Sequence, residues 1–315
     1  MRKACLAAIA ELARRDPRVV FVGSDLAAGT LGELQREFPN RHFMEGVSEQ
    51  HLIGFMSGLA AEGYIPYGNT IATFFTRRCY EQIVLDAALP QLPLRLIGSG
   101  GGLVYAPLGP THLATDDLAI LRAVPGMTIL APCDADELRR LMPQTLDLPG
   151  PLYLRLAKGG DRVVSRADLS CRIGEAIALC AGGDVLLVST GVMTGVALDA
   201  AETLAGVDIA ASVLHCHTIK PLDVAALQAA ARPVRVILSV EEHSIIGGLG
   251  SAVAEVVAEM AWARPKRMQR IGLPDRFFAE YGTQASAWVR QGLTVERIVE
   301  TAQQLLEASA AGGIA

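Results

Sequence analysis

Short apolar runs alternate along this chain with stretches whose apolar residues return every three or four positions. RVVFVGS (18–24), LPLRLIG (92–98), GMTILAP (126–132) and PLYLRLA (151–157) are β-rich runs punctuated by Pro and Gly, and they predict buried strands. MRKACLAAIAELARR (1–15) and the stretches 49–62, 77–89 and 134–146 carry the helical period. Strands that are apolar on both faces, separated by helices, predict a mostly parallel sheet covered on both sides.

The rhythm breaks at 158–173 (KGGDRVVSRADLSCRI), which is polar and rich in turn formers. It resumes with DVLLVST (184–190), a helix over 193–206, DIAASVL (208–214), a helix over 223–231, PVRVILSV (233–240), a helix over 248–260 and a last helix from Thr294. The predicted class is therefore α/β, with two doubly wound domains at 1–160 and 174–315, the second smaller, joined by a linker over 161–173. The closing AGGIA reads as a frayed end.

With 315 residues the chain can build two cores, and 51% hydrophobic against 19% charged residues describes a well-buried globular protein. A net charge of −5 argues against a nucleic-acid or polyanion surface. No apolar run reaches membrane-spanning length, and the first helix lacks the apolar core of a signal peptide. Six cysteines (5, 79, 133, 171, 180, 216) without CxxC pairing fit reduced, packed thiols, so a cytoplasmic location is expected. His215 and His217 share one face of a strand, but two histidines without a third ligand are weak grounds for a metal site, and none is expected.

Gly46-Val47-Ser48-Glu49-Gln50-His51 places one carboxylate, Glu49, at the start of a helix that is otherwise small and apolar (Leu52, Ile53, Phe55, Met56). A carboxylate there is either a helix-start charge or a working acid/base group. A Phe74-Phe75 pair leads into the next helix, and Gly109-Pro110-Thr111-His112 offers one imidazole after a glycine-rich loop. Ser99-Gly100-Gly101-Gly102 and Gly247-Gly248-Leu249-Gly250-Ser251 stand where phosphate loops would, yet neither completes GxGxxG or GxxxxGK[ST]. Tight strand-to-helix turns explain both more simply.

GVSEQHLIGFMSGLAAEGYIPYGNTIATFF, GPTHLATDDLAILRAVPGMTILAPCDADE, VSTGVMTGVALDAAETL and HTIKPLD together resemble the pyrimidine-binding and C-terminal domains of the transketolase family, over nearly the whole chain. The resemblance implies thiamine diphosphate as cofactor. It implies that Glu49 hydrogen-bonds the cofactor's N1′ nitrogen and promotes the imino tautomer that takes the C2 proton, with burial raising the Glu49 pKa toward proton sharing. Phe74 would stack on the aminopyrimidine, or Phe75 if the register differs by one; a core role is the alternative for either ring. Ile71 and Arg77 stand at the family's neighbouring aromatic positions. Asp25 would lie near the cofactor, or else close a strand-end turn. His112 would contact substrate oxygens near the reacting carbon, or pack as a loop histidine. Lys158, with Arg155 as a helper, would bind substrate phosphate, unless Lys158 is a solvated linker residue.

Two departures from the family pattern point to an altered substrate. Leu108 replaces the acidic residue that reads a sugar hydroxyl, and Gly100 falls where a phosphate-holding histidine is usual. Both remove polar contacts, so a modified, less hydroxylated or differently phosphorylated ketose or aldehyde is expected. The Gly-Asp-Gly motif that holds diphosphate and Mg²⁺ is missing as well. The resemblance therefore implies the second (β) subunit of a split enzyme in an α2β2 assembly, with an α subunit supplying the diphosphate and Mg²⁺ site, and a sugar or sugar-phosphate substrate. Competing readings are the β subunit of a 2-oxo-acid dehydrogenase, a 1-deoxyxylulose-5-phosphate-synthase-like acyl transferase, and a catalytically dead scaffold subunit.

Overall fold

A computed structural model of the chain describes residues 1–24, 26 and 31–311. Strand β1 (Val19–Gly23) shows why the apolar runs carry no polar face. Val19 and Phe21 join a core built on Leu6, Ile9 and Leu12 of helix α1 (Arg2–Arg15). Val20 and Val22 point the other way and pack with Leu52, Ile53 and Met56 of helix α3 (Glu49–Ala61), which follows the short helix α2 (Gly32–Glu37). Alternate residues feed two cores, so every position must be apolar. Each fully buried Leu or Ile in those layers contributes about 1.5–3 kcal/mol.

Around β1 stand β2 (His42–Met44), β3 (Ile65–Ile71), β4 (Arg95–Ser99), β5 (Thr128–Leu130) and β6 (Leu152–Leu156). The second half contributes β7 (Ile177–Cys180), β8 (Val185–Ser189), β9 (Ala211–His215), β10 (Thr218–Lys220), β11 (Val236–Ser244) and β12 (Arg267–Leu273). A seven-stranded sheet runs β10-β5-β6-β4-β3-β1-β2, and a five-stranded sheet runs β12-β11-β8-β9-β7. Pairing is parallel except where β10 meets β5 and β7 meets β9. The architecture is the expected pair of doubly wound, mostly parallel α/β units. β10 crosses over from the second half of the chain and closes the edge of the first sheet, so the two halves interlock rather than meeting only at a linker.

Three local differences have clear causes. β3 contains Pro66 and Gly68, residues that argue against a central strand. Pro66 pairs with Val20 on β1, but pairing with β4 begins only at Tyr67, so its missing N–H falls outside that ladder. A Cβ at Gly68 would strike the Met56 thioether, so the helix over this face needs glycine there. Second, the helix expected over 77–89 begins earlier, as α4 (Ala72–Arg78), and resumes over 80–88. Thr76, a poor helix former, donates its hydroxyl to Ala72 O (3.0 Å) inside that helix. Third, the edge strands β2 and β12 have mixed burial and carried no readable alternation.

Candidate functional site

The side chains singled out from the sequence gather where β2 and β3 end, at the carboxyl edge of the first sheet, the usual place for sites in parallel α/β sheets. Glu49 opens α3 and is only 3% exposed. Its Oε1 accepts from Thr70 Oγ1 (3.4 Å), the last-but-one residue of β3, and Ser24 Oγ donates in turn to Thr70 (3.1 Å). Its Oε2 accepts from Arg78 Nη1 at 3.0 Å. The carboxylate is thus held by a hydroxyl and a guanidinium rather than by apolar neighbours alone.

The early start of α4 explains the rest. Phe74 and Arg78 are i, i+4 on this helix and share a face, and the Arg78 guanidinium lies over the Phe74 ring, 4.1 Å from its centroid. Gln50 Nε2 donates to Arg78 O (2.8 Å), which locks the end of α4 to the start of α3. The Phe74 ring also meets His112, centroid to centroid at 5.3 Å. His112 Nδ1 is engaged with Thr111 Oγ1 (2.9 Å), and its segment is fixed because Leu103, Ala106 and Leu113 join the core of the second domain. Glu49, Arg78, Phe74 and His112 therefore form one continuous set. A flat cation stacked on Phe74 and hydrogen-bonded to Glu49 outlines a slot for a planar heterocycle that shares a proton with the carboxyl group at its edge, so these residues fit an aminopyrimidine.

The remaining positions divide. Phe75 is fully buried in the first-domain core, one step around α4 from Phe74, and presents no face to the site. Ile71 caps the start of α4 and is partly buried. Arg77 pairs with Asp116 (3.0 Å) on the wall of a cleft of about 330 Å³ that Ser244, Asp275 and Arg276 continue. Leu108 is 51% exposed, and Lys158 is exposed just past β6. Asp25 lies outside the described residues.

Arg155 is not a phosphate ligand in waiting. It is 7% exposed, and its Nε donates to Asp117 Oδ2 (2.8 Å). Its Nη2 reaches Asp117 Oδ1 (3.1 Å), Ala114 O (3.0 Å) and, on β11, Glu242 O (2.9 Å). Its Nε and Nη2 donors are thus committed to the protein. Gly100, Gly101 and Gly102 serve close packing instead of phosphate. Gly100 and Gly102 have φ of +79° and +65°, and a Cβ at 101 or 102 would run into Arg155 or Glu242. At Gly248–Gly250 the free amides of the helix start are taken by the protein's own Glu241, which accepts from Leu249 N (2.8 Å) and Gly250 N (2.7 Å).

Sequence reasoning missed Arg78, Asp117 and Glu242. Glu242 is buried between the domains, accepting from Leu103 N (2.9 Å), Gln284 Nε2 (2.9 Å) and Trp288 Nε1 (2.7 Å), and burial pushes its pKa up. Asp116-Asp117 was a visible pair, but only the fold reveals which carboxylate turns inward.

The family model for the transketolase pyrimidine-binding domain matches residues 1–160, and that for the transketolase C-terminal domain matches 174–305. The chain belongs to the transketolase family. It is 37% identical over 94% of its length to a 6-deoxy-6-sulfo-D-fructose transketolase subunit of Clostridium sp. (strain MSTE9), covering 91% of that protein. It is 38% identical, over 94% of its length, to 45% of a 1-deoxy-D-xylulose-5-phosphate synthase of Symbiobacterium thermophilum. Among solved structures, a split-gene transketolase described as an inactive beta4 tetramer superposes with a TM-score of 0.89 at 34% identity, covering 97% of this chain and 98% of that one. Within the transketolase family the present chain is thus a β-type split subunit, part of a thiamine-dependent transferase. No described helix is long and apolar enough to cross a membrane.

Proposed function

We propose that this transketolase subunit works in the cytoplasm with an α subunit in an α2β2 assembly, moving a two-carbon ketol unit from a ketose to an aldehyde. The partner would hold the diphosphate and Mg²⁺, and this chain would hold the pyrimidine. The observation that carries the reading is the convergence of Glu49, Phe74 and His112 around one slot at the sheet's carboxyl edge. Thiamine diphosphate, when bound, supplies a carbanion at C2 of its thiazolium ring. Glu49 would hold the proton shared with the pyrimidine N1′, Thr70 fixes the carboxylate's other oxygen, and Phe74 would orient the ring by stacking. His112, with Nδ1 engaged by Thr111, keeps Nε2 for a substrate oxygen. Six free cysteines fit a reducing compartment.

Two further features support the reading. The solved split-gene relative is described as inactive when assembled from β chains alone, which favours a need for a second subunit. The relative named for 6-deoxy-6-sulfo-D-fructose, together with exposed Leu108, supports a substrate that departs from ordinary sugar phosphates. The purified chain is expected to show no turnover and to gain it when the α subunit is added. Full activity of the chain alone would reject the proposal. Rates on xylulose 5-phosphate should fall below those on a deoxy or non-phosphate analogue. The likeness to the deoxyxylulose-phosphate synthase keeps a second reading, acyl transfer from pyruvate, and CO₂ release with pyruvate as donor would establish it instead.

Because Arg78 covers Phe74 and pairs with Glu49, a bound pyrimidine must displace it. The side chain is 46% exposed, so the pair is worth no more than about 1 kcal/mol. Arg78→Ala in the assembled complex is expected to tighten cofactor binding up to about fivefold. A titration showing weaker binding would mean that Arg78 is itself a cofactor ligand.

A further inference from the structure

Cys133, Glu137, Cys171, His215 and His217 converge where the first domain, the linker and the second domain meet. Glu137 sits on the helix Ala135–Leu141, whose N-terminus is capped by Asp134. Asp134 also accepts from Val164 N (2.8 Å) and Ser165 N (2.7 Å) of the linker. Glu137 Oε2 is fully employed, accepting from Cys133 N (2.7 Å) and engaging His215 Nε2 (2.9 Å). His215 is oriented by Thr194 Oγ1 at its other nitrogen (2.8 Å).

The second carboxylate oxygen is different. Among the described residues, Glu137 Oε1 and His217 Nε2 are buried without any hydrogen-bond partner. Both residues are fully buried, where an unpaired polar atom is costly. One ligand atom each from Glu137, Cys171 and His217 lie within 4.8 Å of one another. The sequence offered two same-face histidines and no third ligand; the fold supplies a carboxylate and a thiol from elsewhere in the chain.

We propose that Glu137, Cys171 and His217 form a structural site for a borderline-soft divalent cation, Zn²⁺ by its donor set, that clasps the linker to both domains. One sulfur, one imidazole and one carboxylate are donors that Zn²⁺ accepts, with a water or the Cys133 side completing four-coordination. Zinc sits about 2.0–2.3 Å from such donors, which requires separations of roughly 3.3–3.8 Å in a tetrahedron. The trio lies within 4.8 Å, so its ligand atoms would close by about 1 Å to reach that spacing, and Cys171 stands on a half-buried segment.

The surroundings suit the assignment. His217 Nδ1 lies 2.9 Å from Thr218 Oγ1, so a proton on Nδ1 donated to that hydroxyl leaves Nε2 as the lone-pair nitrogen. Burial lowers His217 to about 4, so the ring is neutral at pH 7. Burial pushes the Cys171 thiol up to about 12, so the cation must displace its proton to solvent. Thiolate and carboxylate together then balance the two positive charges. The Arg140 guanidinium is a further positive charge nearby, tethered through Nη1 to Arg166 O (3.0 Å) and Leu169 O (3.2 Å), with Nη2 buried without a hydrogen-bond partner among the described residues. Cys133 lies beside Glu137 and His215 in a second, adjoining group, but its thiol already donates to Asp134 Oδ2 (3.6 Å).

The full-length chain, stripped of metal with a chelator and titrated with Co²⁺, is expected to develop a thiolate-to-cobalt charge-transfer band that saturates at one equivalent and is bleached by Zn²⁺. Cys171→Ser should abolish that band, and His217→Gln should weaken Co²⁺ binding at least about tenfold. Cys133→Ser should leave the band in place. Absence of the band in the wild-type chain overturns the proposal, and so does a band that survives unchanged in both Cys171→Ser and His217→Gln. The wild-type titration needs no variant, so a substitution that misfolds cannot hide the answer.

Discussion

Replacing Glu49 with glutamine is expected to lower kcat of the assembled transketolase by about 10²–10⁴-fold, the usual size of a lost acid/base contribution. The amide keeps the shape of the side chain and can still accept from Thr70 at the Oε1 position. It cannot share a proton with a ring nitrogen, so the loss should fall on turnover and far less on assembly. Arg78 is the partner left behind, and it is half exposed, so water can take over the donor that now reaches Oε2 at 3.0 Å. Global stability should therefore change by less than about 1 kcal/mol. Steady-state rates and urea unfolding on the same preparation separate the two effects. Normal turnover in the glutamine variant would remove Glu49 from the chemistry and leave it as a charge at a helix start.

Glu49 and His112 were legible because each stands in a short stretch whose neighbours carry the pattern. Arg78 was not, because its position depends on where α4 begins. A helix read from 77 places Phe74 before it; a helix from Ala72 places Phe74 and Arg78 four apart on one face. The parallel sheets were legible for a physical reason: β1, β4, β6 and β8 are buried along their whole length, so their sequences are mostly apolar, with the buried Arg95 and Arg155 as charged exceptions whose donors are met by the protein. β3 was hidden by Pro66 and Gly68, whose oddities are resolved only by what lies beside them. Arg155 misled because its charge suggested an anion site. Its partners, Asp117 and the Glu242 carbonyl, lie 38 and 87 residues away in the chain, and no local pattern encodes such a meeting.

Removing that meeting should produce a large loss of stability. Asp117 is fully buried and accepts from Arg155 Nε (2.8 Å), Arg155 Nη2 (3.1 Å) and Tyr153 OH (2.8 Å), with His243 Nε2 at 3.9 Å. Asp117→Asn leaves the Arg155 guanidinium buried without its paired carboxylate, which costs about 3–5 kcal/mol. Arg155→Met added to Asp117→Asn removes the stranded charge, so the double variant should recover part of that loss; urea unfolding of the two variants measures the difference. Burial alone would raise the Asp117 pKa, yet Arg155, His243 and Tyr153 hold it below the ordinary value. A carboxylate with a depressed folded pKa stabilises fully above its unfolded pKa, about 3.9, and loses that contribution as pH falls through the folded value. Wild-type stability should therefore decline with acid below about pH 4, and the Asn variant should lack that part of the decline. Since Arg155 also grips the Glu242 carbonyl on β11, the interface between the domains should loosen with it, seen as faster proteolysis at residues 157–176. A single variant destabilised by less than about 1 kcal/mol would show that Arg155 finds another counter-charge and that its pairing with Asp117 does not hold the domains together.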